Sequence, residues 1–322
     1  MKSEEDIAEM IVKKKPRLKP SSIKSYIAKI KCINRGLGAL DGSDDVGIID
    51  ALYDKEIIDE YLKDYKLNTR KTYYGAIITV LDCCGEDCVE VLKEYRKEME
   101  DFQGDVRKAE ELQIKTARQD ANWVPLDKLK DVVAQYKTQF DFLDLSPDES
   151  LSKKNFVLLQ KYIVGMLYIG DVDNHPPLRL DYAPMVIKHI SKWDKATEKE
   201  NSLVIVNKDK KFFSLVDYKT SGTYGFKSIN LSDKMNDIIN LWLKFNKSTS
   251  LLLNQRLKPM NGNDLSKFIN KVFSPTGKKV GATLLRHIVI SELFPAHFSQ
   301  SKRTADLMLH SPQLQTLYSK KI

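Results

Sequence analysis

β-Type sequence is confined to one short window of this chain, and that confinement limits the fold more than any other feature. The runs "SLVIV" (202–206), "KFFSLVDY" (211–218) and "KSINL" (227–231) are rich in β-branched and aromatic residues, and "NKDKK" and "KTSGTYG" separate them. They predict a small three-stranded antiparallel sheet. Elsewhere the apolar residues recur at helical spacing. "PSSIKSYIAKIKCI" places Ile23, Tyr26, Ile27, Ile30 and Ile33 on one stripe, with Ser21 or Ser22 available as a cap. "EIIDEYLKDY" reads as a short helix. "NTRKTYYGAIITVLDCC" repeats the pattern through Tyr73, Ile77, Leu81 and Cys84, with Asn68 or Thr69 as its cap.

After a polar stretch of poor periodicity, "VPLDKLKDVVAQYKTQF" begins a new helix behind Pro125, and "SKKNFVLLQKYIVGMLYIG" is apolar enough to be buried. Helices are expected again over 232–245, 263–273, 281–294 and 301–309. The fold class is therefore mainly α (α+β). A chain of 322 residues exceeds one small core. The expected division is a helical domain at 1–110, a linker at 111–123 that is partly exposed helix, and a second, mostly helical domain at 124–322 that carries the sheet.

Hydrophobic residues make up 42% and charged residues 30%, as in a soluble globular protein. No apolar run reaches the roughly 18 residues of a membrane span, so no membrane partner is expected. The opening "MKSEEDIAEMIVKKKPRLK" begins acidic and lacks the long apolar stretch of a secretory signal. The formal charge of +8 favours a polyanionic partner. The four cysteines are Cys32, Cys83, Cys84 and Cys88, and "CCGEDC" lacks a second ligand pair at zinc spacing. Reduced thiols and an intracellular, reducing compartment are expected.

Several familiar motifs fail. "DGSDDVG" has the acidic spacing that opens a calcium loop, but Val46 stands where glycine is needed and Leu52 where the bidentate acid belongs. "SPTGKK" lacks the first glycine and the Ser/Thr of a phosphate-binding loop. There is no HExxH, and the scattered carboxylates do not suggest a two-metal nuclease. Any chemistry is expected to run without a metal or nucleotide cofactor.

The cationic groups of the second half fall in unusual places. Arg179 sits in "NHPPLRLDYAPM", behind two prolines at an expected helix start. Lys219 lies in "DYKTSGTYG", at the tip between two expected strands. Arg286 falls inside the apolar helix "GATLLRHIVISELF", and His310 closes the helix before Tyr318 in "LHSPQLQTLYSKKI". Singly, each has a plain reading: an arginine in an apolar helix pairs with a buried carboxylate, and a terminal tyrosine packs. Together they are what metal-free phosphoryl transfer needs. Two guanidinium forks hold the non-bridging oxygens, a tyrosine attacks phosphorus, and a lysine or histidine protonates the departing sugar oxygen.

This constellation resembles that of the tyrosine recombinases, the phage-integrase-type site-specific recombinases, in versions carried by viruses and mobile elements. Arg179 is similar to the family's first arginine, Lys219 to its β-hairpin lysine, and Arg286 with His287 to its helix arginine in "LRH". "LHSPQLQTLY" is similar to the closing motif, giving His310 and Tyr318. The order and spacing agree over residues 175–318. The N-terminal helices are similar in kind to the family's core-binding domain, without a specific motif.

The resemblance implies a site-specific recombinase or integrase that binds double-stranded DNA between its two domains and works as a homotetramer on paired sites. Tyr318 would form a 3′-phosphotyrosyl intermediate, with Arg179, Arg286 and His310 holding the phosphate and Lys219 as general acid. No cofactor or ATP is required. Such a protein works wherever its target DNA is: host nucleus, viral factory or bacterial cytoplasm. A type IB topoisomerase-like relaxing enzyme shares the chemistry, and a weakly cleaving DNA-binding relative shares the fold. Three departures stand out. Thr283 replaces the histidine expected three residues before Arg286, with His287 one turn away on the same face. His310 and Tyr318 are one residue closer than is commonest, and only Ser319, Lys320, Lys321 and Ile322 follow the tyrosine. In the first domain, Arg70, Lys71 and Tyr74 lie around a helix start, where they would contact phosphates or stand merely solvated.

Overall fold

Acidic Glu4, Glu5 and Asp6 open the first helix and Lys13 and Lys14 close it, each charge placed where it favours the helix dipole. The computed structural model describes residues 4–41, 49–84, 88–111, 114–143 and 150–293. The chain divides into two compact units, Met1–Ile114 and Lys115–Ile322, so the division falls within 111–123.

The first unit is helical. It contains α1 (Glu4–Lys14), α2 (Pro20–Asp41), α3 (Lys55–Leu62), α4 (Leu67–Cys84) and α5 (Val89–Glu111). Proline suits the first turn of α2 because its missing N–H would have had no helical partner there. That moves the start ahead of Ser21 and Ser22, which lie inside the helix. Ile23, Ile30, Ile33 and Leu37 are buried, and Tyr26 and Ile27 flank them. Asp54 caps α3 by accepting the Ile57 N–H at 3.1 Å.

Helix α4 is apolar on most of its circumference and packs on α1, α2 and α5, which makes it the centre of the bundle. Gly36 lets Tyr61 cross α2, since a Cβ there would lie 2.1 Å from the tyrosine ring. The Tyr61 hydroxyl donates to the Cys32 carbonyl at 3.0 Å. The Cys83, Cys84 and Cys88 thiols reach the carbonyls of Thr79, Val80 and Leu81 at 3.2, 3.3 and 3.1 Å, a packing role.

The second unit begins with α6 (Ala117–Asn122), held by a Thr116–Gln119 capping box, and continues with α7 (Leu126–Asp141) and α8 (Lys153–Gly165). Gly165 allows α7 and α8 to approach closely, because a Cβ there would meet Val133 at 2.6 Å. One turn of π-helix, Met166–Gly170, prolongs α8 into the core. The remaining elements are β1 (Val186–His189), β2 (Ser202–Ile205), β3 (Lys211–Leu215), the four-residue α9 (Ser221–Tyr224), β4 (Lys227–Asn230), α10 (Asp233–Phe245), α11 (Gly262–Val272) and α12 (Ala282–Leu293).

The sheet has order β1-β2-β3-β4. Strands β2, β3 and β4 are antiparallel and coincide with the three predicted runs. The expectation of three strands is corrected by β1, which pairs parallel to β2, so the sheet is four-stranded and mixed. The "VIKH" run is too short and polar to announce itself. It becomes a strand because β2 lies on one side, while on the other the Ile187 N–H donates to the Thr249 carbonyl at 2.7 Å and the Val186 backbone bridges Ser250. Strand β3 is buried along its whole length and β4 is mostly exposed. Trp242 on α10 is fully buried, and its Nε1 donates to the Leu251 carbonyl at 2.8 Å. Each unit has its own hydrophobic core. The expected helix at 301–309 lies outside the described residues. No helix among the described residues is long and apolar enough to cross a membrane.

Candidate active site

Pro176 and Pro177 withdraw two backbone donors just before Arg179 and disfavour helical backbone in the residues that precede them. Arg179 accordingly lies in a bend rather than at the predicted helix start, and the chain turns through 181–184 into β1. The Asp181 carboxylate contributes by accepting the Arg179 N–H at 3.2 Å, a local bond that competes with helix. The Tyr168 hydroxyl, from the π-turn, donates to the Arg179 carbonyl. Tyr182 is fully buried and stands edge-on to Tyr168 (ring centroids 5.7 Å apart) and to Phe213 of β3 (5.3 Å). The Arg179 turn is thus clamped from α8's extension on one side and from the sheet on the other.

Arg286 stands on α12, which packs on the π-turn that carries Tyr168. Its helix buries Ala282, Leu285, Ile288 and Val289 and leaves Arg286 half-buried. The Asp181 carboxyl feels both Arg179 and Arg286. Burial is the largest influence on it and raises its pKa, while the Arg179 N–H bond and the two guanidinium charges pull the other way and lose. Neither arginine closes an ion pair among the described residues, although the charge of each is felt at the Asp181 carboxyl. Thr283 and His287 are exposed on α12, one turn apart.

Lys219 lies where the sequence places it, exposed in the β3–β4 connection beside α9. The connection is closed by the Tyr218 hydroxyl, which donates to the Gly225 carbonyl at 2.6 Å. Gly225 has φ +63°, a left-handed conformation that suits glycine. At the other end, Asn201 joins the connection to the Arg179 turn. Its Oδ1 accepts the N–H groups of Val216 at 2.9 Å and Asp217 at 3.0 Å, and its Nδ2 donates to the carbonyls of Asp217 at 2.8 Å and Asp181 at 3.4 Å. His310 and Tyr318 lie outside the described residues.

Behind the turn, the buried His175 accepts the Ser232 N–H at Nε2, 3.0 Å away, while the Ser232 hydroxyl donates to Asp171 at 2.6 Å and caps α10. Burial pushes the His175 pKa down, against a smaller upward pull from Asp171. This is an anchoring cluster rather than a nucleophilic triad: the serine proton goes to the carboxylate, not to the histidine.

The three candidate phosphate contacts of the first unit separate. Tyr74 is fully buried, with its hydroxyl donating to Asp59 and its ring tilted against Tyr95 and edge-on to Phe102, so it is a core residue and not a surface contact. Its place on the most buried helix of the bundle takes it inside. Arg70 is half-buried, pairs with Glu98 at 3.5 Å and lies over the Phe102 ring at 5.1 Å. Glu98 and Asp59 also hold Lys55; burial lowers that ammonium's pKa, but hydrogen bonds and charge from the two carboxylates outweigh it and leave the pKa raised. Lys71 is partly exposed.

The sequence singles out Arg179, Lys219 and Arg286 and gives no sign of a role for Asp181, Asn201 and Tyr168, which the structure sets around the Arg179 turn. "RLDYAP" offers Asp181 as a neighbour of Arg179, yet nothing local links it to Arg286. A groove of about 490 Å³ between the 254–261 turn and α11 is lined by Arg256, Lys267 and Lys271 and contains none of the candidate residues. No protein-family model, curated protein or solved structure matches the chain.

Proposed function

We propose that the protein is a DNA breaking-and-rejoining enzyme of the tyrosine-recombinase type, with its phosphate-binding groups in the second unit. The observation that carries this reading is that the charges of Arg179 and Arg286 both act on Asp181. Two guanidinium groups from remote parts of the sequence act electrostatically on one carboxylate, and neither closes an ion pair with it. A carboxylate whose ionised form is disfavoured by burial is a weak competitor for those forks. A phosphodiester, with two non-bridging oxygens, is a better match.

In the reaction, the Tyr318 oxygen attacks phosphorus and the P–O5′ bond breaks as the P–Oη bond forms. The tyrosine gives up its proton to a base or to water, and O5′ takes one from the Lys219 ammonium. Arg179, Arg286 and His310 neutralise the non-bridging oxygens. Attack by a 5′-hydroxyl on the phosphotyrosyl bond reverses the step, so the bond energy is conserved without ATP. Exchange between two sites calls for a homotetramer, whereas relaxation by religation of the same strand does not.

Thr283 favours a second reading, a DNA-binding relative that cleaves weakly. Tyrosine has an ordinary pKa near 10, and this exposed position offers a hydroxyl where an imidazole would accept the proton.

A nicked suicide duplex tests the proposal. A covalent protein–DNA adduct on a denaturing gel that is lost in Tyr318→Phe is the expected result. Tight, salt-sensitive binding without any adduct would sink the enzyme reading in favour of the binding relative. A two-site exchange assay then separates recombination from relaxation.

A further inference from the structure

Asn201 takes no part in the chemistry above, yet it is among the most tightly bonded side chains of the second unit. It is 3% exposed, and all four hydrogen-bonding positions of its amide are filled by backbone groups. Its own carbonyl accepts the Val186 N–H at 3.0 Å, so the pairing of β1 with β2 fixes where the amide stands. The segments it joins are not arbitrary. Asp181 belongs to the turn that begins at Arg179, and Val216 and Asp217 lead out of β3 directly to Lys219. Beyond Leu215 the β3–β4 ladder has ended, and there the Asn201 amide bonds the backbone of Val216 and Asp217.

We propose that Asn201 is a positioning residue that sets the Lys219 arm against the Arg179 turn, so that the ammonium and the guanidinium address the same phosphate. The inference rests on the recombinase-type reading. Arg179 keeps its own supports in Tyr168 and Asp181 when the amide is removed. Lys219, exposed on its connection, loses the bonds that tie Val216 and Asp217 to the Arg179 turn. Loss of Asn201 therefore resembles loss of the general acid more than loss of phosphate binding.

That distinction can be measured. When O5′ leaves, it needs a proton from Lys219. A sulfur in the bridging 5′ position leaves as a stable thiolate and needs none. Asn201→Ala, Lys219→Ala and Arg179→Ala are compared with the wild-type chain on nicked duplexes with either atom at the scissile position. The expected result is that Asn201→Ala and Lys219→Ala cleave the oxygen duplex about a hundredfold more slowly, as for a lost general acid, and cleave the sulfur duplex nearly as fast as wild type. Arg179→Ala is slow on both.

Equal slowing of Asn201→Ala on the two duplexes, or no slowing on either, overturns the proposal. Should Asn201→Ala fail to fold in a thermal melt, Asn201→Asp decides. It keeps both acceptor bonds to 216 and 217 and loses the donations, and the same sulfur rescue is expected of it. A wild-type chain that forms adduct with neither duplex shows instead that the recombinase-type reading has failed, and the role of Asn201 falls with it.

Discussion

The Asp181 carboxylate accepts the Arg179 backbone N–H at 3.2 Å while lying within the field of Arg286. Burial nevertheless holds its pKa above the ordinary carboxylate value of 3.8, so the folded protein binds this proton more readily than the unfolded chain. Stability must then fall as pH rises through the window between the ordinary and the raised value. Asp181→Asn keeps an oxygen for the Arg179 N–H and has no charge to bury. Its unfolding midpoint, compared with wild type in urea at pH 4 and pH 7, is expected to gain relative to wild type at the higher pH.

His175 gives the opposite dependence. Its pKa is lowered by burial, so the unfolded chain takes up a proton that the folded state refuses. Between the lowered value and the ordinary 6.5, stability rises with pH, and it is lost as pH falls through that range. The second unit is expected to melt at lower temperature at pH 5 than at pH 7. His175→Gln is expected to flatten that difference while lowering stability at both.

Tyr168→Phe removes the hydroxyl that holds the Arg179 carbonyl, and Tyr136→Phe removes one that donates to the Val272 carbonyl at 2.6 Å. Each leaves a carbonyl without its donor at a cost of about 1–3 kcal/mol. Denaturant titration should find the two variants similarly destabilised. On the proposed function, only Tyr168→Phe should also slow adduct formation, because only that carbonyl belongs to a candidate catalytic residue.

Gly165→Ala drives a methyl group against Val133, 2.6 Å away, and overpacking of this kind costs about 1–3 kcal/mol. Val133→Ala alone leaves a cavity between α7 and α8. The double variant should recover part of the summed loss, because the new methyl occupies some of the space vacated. A double-mutant cycle of unfolding free energies reads the coupling directly, and strict additivity would argue against this contact.

On the proposed function, Lys71→Ala in the first unit is expected to weaken DNA binding and to flatten the plot of log affinity against log salt by about 0.9 if Lys71 meets one phosphate. Tyr74→Phe should lower stability, since its hydroxyl is bonded to Asp59 in the interior, and should leave the salt slope unchanged. Fluorescence anisotropy over a salt series distinguishes the two.

Local pattern alone specified much of this protein. The stripe from Ile23 to Ile33 made α2 inevitable, and the β-branched runs at 202–206, 211–218 and 227–231 each hold a strand, because helices and strands announce themselves through the side chains of near neighbours. Lys219 could be placed on its connection for the same reason: the strands that flank it are visible in sequence. Tertiary structure alone made β1, since "VIKH" becomes a strand only between β2 and the 249–250 segment. It also buried Tyr74, which shares a helix start with surface residues but faces Asp59 and Tyr95. The joint influence of Arg179 and Arg286 on Asp181, and the tie that Asn201 makes between Asp181 and Asp217, depend on groups far apart along the chain. Hydrogen bonds and charges act through space, so residues without a periodic signature become partners only when the core brings their segments together.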